Sequence, residues 1–86
     1  MKNQVVYILK VSNQNEDGSY DYVKMAGVFA KKEDAIAKAE EKIERMMLEW
    51  WGAKVTRMKN TANYQAVVIS ETGIRKWYEV IETEVK

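Results

Sequence analysis

The chain predicts an α+β fold: an antiparallel sheet of about five strands in the order β-β-α-β-β-β, with one long amphipathic helix packed on one face. Three observations carry this. Two β-rich runs near the start flank an Asp17-Gly18 turn signal. From Lys32 to Trp51 the apolar residues recur at the helical period. Three more β-branched and aromatic runs follow, separated by polar turns. Eighty-six residues allow one domain, 1–86, and one core.

Each element has its own warrant. Val5–Val11 is β-branched and aromatic, with Val5, Tyr7, Leu9 and Val11 on one face, and its near-continuous apolarity suits a central strand. Asn13–Ser19 is a polar loop. Tyr20–Ala26 alternates and returns as the second arm of a hairpin, with Gly27-Val28-Phe29-Ala30 as a link to the helix. In the helix, Ala35, Ile36, Ala39, Ile43, Met46, Met47 and Trp50 make the apolar stripe. Glu33 and Asp34 sit in the first turn, where the helix dipole favours acids. Asp34/Lys38 and Glu41/Arg45 are spaced as i,i+4 ion pairs, and Gly52 suits the residue after the helix end. Ala53–Lys59, Tyr64–Ser70 and Ile74–Val85 complete the strands, with turns at 60–63 and 71–73. In the last strand Tyr78 and Val80 face one way, Trp77 and Ile81 the other.

Composition removes several function classes. The chain has no Cys, so it has neither a disulfide framework nor a thiol nucleophile. It has no His, the commonest general base and transition-metal ligand. The four Gly are scattered, giving no phosphate-cradling loop. No nucleophile–base–orienter set stands out, and no cofactor motif is present, so a non-enzymatic role is expected. No apolar run approaches the roughly 20 residues of a membrane span. The N-terminal run is too short for a signal peptide, which points to the cytoplasm of a bacterium or a phage-infected cell.

The net charge of +1 conceals segregation. Residues 33–49 carry six acids against three bases, whereas residues 50–76 carry five bases against Glu71 alone. An acidic helix therefore precedes a basic sheet segment.

Four places are candidates for function. The first is the basic and aromatic stretch of the C-terminal half, containing Lys54, Arg57, Lys59, Tyr64, Arg75, Lys76, Trp77 and Tyr78. Arg57, Lys59, Arg75 and Lys76 suit phosphate, while Tyr64 and Trp77 suit stacking on a base. The plainer reading is that the cations keep edge strands soluble and the aromatics fill the core. The second is the helix end, where Leu48 and Trp51 turn outward as partner-binding residues if Trp50 faces the core; Trp77 joins them as a third such candidate. The third is the set Glu33, Glu40, Glu41, Glu44 and Glu49, whose interleaved bases favour a solvated helix face. The fourth is the 13–19 loop, which superficially suggests a calcium loop but lacks the spacing and closing Glu of an EF-hand. A hairpin turn explains it better.

The N-terminal half, through Val6-Tyr7-Ile8-Leu9, then Val23-Lys24-Met25-Ala26-Gly27-Val28-Phe29, then Glu33-Asp34-Ala35-Ile36-Ala37-Lys38-Ala39, resembles small uncharacterised phage and bacterial proteins. In those a hairpin ends in a Gly-Val-aromatic step and enters an amphipathic helix. Ala30 and Lys31 stand where that pattern has small polar residues. The resemblance implies stoichiometric inhibitors of host defence or host enzymes, some of them sponges for nucleotide signals.

One helix covers one sheet face, yet the strands offer apolar residues to both, so self-association is expected. The leading expectation is a homo-oligomeric protein-binding module, with the resemblance implying a phage origin and a host protein as its target. A nucleotide or other phosphate-containing small ligand held by the basic and aromatic stretch is the alternative. Single-stranded nucleic acid is the least favoured partner, given the near-neutral charge.

Overall fold

A computed structural model describes residues 4–58 and 63–85. The described residues form β1 (Gln4–Gln14), β2 (Tyr20–Phe29), α1 (Lys32–Glu49), β3 (Lys54–Met58), β4 (Gln65–Ile69) and β5 (Arg75–Val85). The strands make a wholly antiparallel sheet in the order β2-β1-β5-β4-β3. This is the expected α+β architecture. The first and last strands lie together in its middle, paired along their full length from Gln4↔Val85 to Gln14↔Arg75.

Side-chain alternation divides the sheet into two unlike faces. Leu9, Val11, Tyr78, Val80, Ala66 and Val68 point to one of them. α1 lies on that face and buries Ala35, Ala39 and Ile43, a stripe of every fourth residue. Two alanines in the stripe bring the helix backbone close to the strands. Tyr7, Phe29, Met46, Trp50 and Val55 close the margins of this core. None of the described helices is long and apolar enough to cross a membrane.

β2 is longer than its sequence suggests. The residues read as a link, Gly27 to Phe29, continue the ladder, with Tyr7↔Phe29 and Ile8↔Val28 in register. The register shifts between Leu9↔Gly27 and Lys10↔Met25, leaving Ala26 as the extra residue of a β-bulge. The bulge resets the alternation, so Val28, Met25 and Val23 share the open face although 28 and 25 differ in parity. Gly27 is required by a close approach: a Cβ there would lie 2.8 Å from Cε2 of Phe29. The Phe29 ring folds back along its own strand into that space.

The two short hairpins at one end of the sheet share a single turn geometry. In the first, Asn15 N–H donates to Ser19 O at 2.7 Å and Gly18 N–H to Asn15 O at 3.0 Å. In the second, Ser70 N–H donates to Ile74 O at 2.9 Å and Gly73 N–H to Ser70 O at 3.1 Å. Gly18 and Gly73 take φ of +93° and +95° at equivalent positions. The helix stops sooner than its periodicity predicts, at Glu49, with Trp50 N–H donating to Met46 O. Lys38 pairs with Glu41 at 3.4 Å rather than with Asp34.

Candidate functional site

The basic and aromatic stretch does not assemble into one patch. Cross-strand pairing sets Arg57, Ala66 and Tyr78 in one row, facing the helix, and Val67 and Trp77 in the next, facing away. Lys76 also lies on the helix side, whereas Arg75 lies on the open face beside Gln14 and Ile69. Tyr78 is buried in the core. Lys59 and the turn positions 60–62 fall outside the described residues. A β-strand sends neighbours to opposite faces, so Arg75, Lys76 and Trp77 could not converge on one ligand.

Arg57 and Tyr64, both proposed ligand residues, are tied to the helix. Arg57 Nε donates to Glu40 Oε1 at 2.8 Å, and Nη2 donates to Glu40 Oε2. The Tyr64 hydroxyl donates to Oε1 at 2.7 Å. Glu40 therefore ties the middle of α1 to β3 and to the residue preceding β4. The hydrogen bonds from Arg57 hold the Glu40 carboxyl below its ordinary value, and Tyr64 adds to this. The same pairing raises the Arg57 guanidinium. Burial, then Glu40, pushes Tyr64 up to about 12. The acidic helix face is thus not uniformly solvated. Glu40 stands four residues after Ile36 and three before Ile43, at the margin of the apolar stripe, and that position is the signal that could have revealed its role.

Two pH effects follow. A depressed Glu40 contributes stability above its ordinary value of 4.5 that is lost as pH falls through the folded value. Both partners keep over a third of their side chains exposed, so Glu40→Gln is expected to cost only about 0.5–1.5 kcal/mol at neutral pH. It should also flatten the acid limb of the stability curve, read from urea midpoints at several pH values. At the alkaline end, burial pushes Tyr78 as well as Tyr64 to about 12 from 10.0. A raised phenol stabilises fully below the unfolded value, and that stability is lost as pH rises through the folded one. Phenolate absorbance should show a late phase near pH 12, reduced in Tyr64→Phe and in Tyr78→Phe.

The partner-binding candidates also separate. Trp50 packs on the core, leaving Trp51 and Leu48 exposed at 86% and 83%. Both lie near the C-terminal end of α1, whereas Trp77 lies on the open sheet face. The Trp77 indole N–H donates to Gln14 Oε1 at 3.0 Å. Its strand neighbours in the same row, Ser12 and Val67, are both buried although no helix covers them. The bulk of the indole beside them accounts for that burial.

The open face was not singled out residue by residue in the sequence. There β2 presents Val23, Met25 and Val28 with 54%, 68% and 60% of their surface exposed. Val28, Ile8 and Ile81 form one apolar row; Val23, Ser12, Trp77 and Val67 form another. Between them runs a row in which Lys10 and Glu79 stand directly opposite on the central strands.

The 13–19 loop is a hairpin turn held by hydrogen bonds among its own polar groups. Asp17 Oδ1 accepts from the Ser19 backbone N–H at 2.9 Å and from its hydroxyl, and these bonds lower the Asp17 carboxyl. Asn15 donates to Asp21 at 2.7 Å. Among the described residues no group of three or more acids gathers where a metal could be held. No family model, curated protein or solved structure matches the chain.

Proposed function

We propose that this protein is a non-catalytic binding domain whose open sheet face meets a protein surface, in the first instance that of a second copy of itself. The observation that carries the reading is the exposure of Val23, Met25 and Val28 beside Ile8, Trp77 and Ile81 on the face opposite α1. Exposed apolar side chains gathered on one surface mark interfaces more often than scattered ones do. The opposed Lys10 and Glu79 favour self-association in particular. A two-fold axis passing between them would set each against its opposite on the other copy, as an isologous interface requires. An inhibitor of a host enzyme, the role implied by the N-terminal resemblance, would use the same face.

Light scattering on the purified chain tests this. The expected result is a dimer that Val28→Lys converts to a monomer, with circular dichroism unchanged because Val28 lies outside the core. A monomer at all concentrations for the unaltered chain would overturn self-association. An unchanged dimer in Val28→Lys would move the interface elsewhere.

A further inference from the structure

On the opposite side of the sheet from that interface, between the C-terminal half of α1 and strands β2, β1 and β5, lies a pocket of about 150 Å³. Four cations line it: Lys24 from β2, Lys42 and Arg45 from α1, and Lys76 from β5. Val11 and Tyr78 form its apolar floor, and Glu49 is the one acid on its wall. Three separate elements thus deliver positive charge to one small concavity. None of the four cations makes an ion pair with a described residue. Lys24 and Lys76 instead share the Tyr22 ring, each ammonium 5.8 Å from its centroid. This contrasts with Arg57 and Lys38, each of which has a carboxylate partner.

We propose that this pocket binds the phosphate group of a small phosphorylated ligand. Cations approaching from several directions match a multiply charged anion better than a single carboxylate, and the Arg45 guanidinium can offer two parallel donors. The volume is below the roughly 300–1,000 Å³ of pockets that enclose a whole organic ligand. The pocket therefore takes the anionic group, while the rest of the ligand extends over the exposed Tyr22 ring. A nucleic-acid strand fits less well, because the overall charge is only +1. Of the described residues expected from sequence to hold phosphate, Arg57, Arg75 and Lys76, Lys76 alone is in this site. The other three cations come from β2 and from the helix read as acidic, and the inference does not depend on self-association.

The test is a two-dimensional NMR titration of the full chain at low ionic strength, with sodium pyrophosphate and, separately, adenosine monophosphate. Saturable shifts centred on Lys24, Arg45 and Lys76 are expected. Lys76→Gln and Arg45→Gln should each weaken binding roughly tenfold. Glu49→Gln, which removes the one opposing charge, should tighten it severalfold, a gain that a damaged fold cannot produce. Stronger binding of adenosine monophosphate than of pyrophosphate assigns an organic phosphate; the reverse assigns the anion alone. Failure of both ligands to saturate, or an affinity unchanged in all three variants, would overturn the proposal and leave the cations as a solvated surface.

Discussion

Leu9→Ala is expected to destabilise the domain by about 2–5 kcal/mol. Leu9 is fully buried at the centre of β1, between Gly27 of β2 and Val80 of β5. Both flanking ladders hold the strand in place, so the vacated volume cannot collapse, and the cost should fall toward the upper part of that range. A domain of this size has a total stability of about 5–15 kcal/mol, so the loss could reach half of it. Urea unfolding of the purified variant measures this. Leu9→Met, which keeps the volume, should cost less than about 1.5 kcal/mol. Equal losses in the two variants would mean that shape rather than volume governs the site.

The second large effect is of opposite kind. Ala39→Leu is expected to cost about 1–3 kcal/mol through overpacking. Ala39 is fully buried where α1 crosses the sheet, and with Ala35 it sets how closely the helix approaches. Leu and Ala have similar helix propensities, so the loss would come from packing rather than from the helix itself. Ala37→Leu is the control, since Ala37 points to solvent; it should change stability by less than about 0.5 kcal/mol. A longer side chain at position 39 also has to lift or tilt the helix. The Glu40 contacts to Arg57 and Tyr64 should then loosen, which an added Glu40→Gln would report as a less than additive loss.

The fold was legible because its elements follow simple periods. Val5, Tyr7, Leu9 and Val11 do share a face, and Tyr78 and Val80 oppose Trp77 and Ile81 as alternation requires. The helical stripe identified Ala35, Ala39 and Ile43, and its phase turned Trp50 inward and Trp51 outward. The end of β2 was missed for a physical reason. The bulge at Ala26 inserts one residue, so the alternation through Val23 and Met25 breaks before Val28, and a broken period reads as the end of a strand.

The basic and aromatic stretch is divided in space for a related reason. Closeness in sequence within a strand means opposite faces in space, and three consecutive residues, Arg75, Lys76 and Trp77, were divided between the two. The Lys24, Lys42, Arg45 and Lys76 cluster was invisible because its members span more than fifty positions and meet only once β2, α1 and β5 are assembled. Net charge by segment also misled, since a helix acidic on balance contributes two of the four cations.

The central place of β1 and β5 has a consequence for how the chain reaches its structure. β1 leaves the ribosome well before its central partner β5, with Gln4 opposite Val85. The β2 hairpin and the helix can form early, but the edge of β1 that β5 occupies stays open until β5 is made. Closing so distant a contact is slow, since most of the loop entropy must be lost before the pairing repays it. Until then Ile8 and Leu9 sit on a strand with one unpaired edge, the arrangement in which nascent polypeptides associate with one another. Folding yield should therefore respond to translation speed and chaperone supply over the codons of β5 far more than over those of β1.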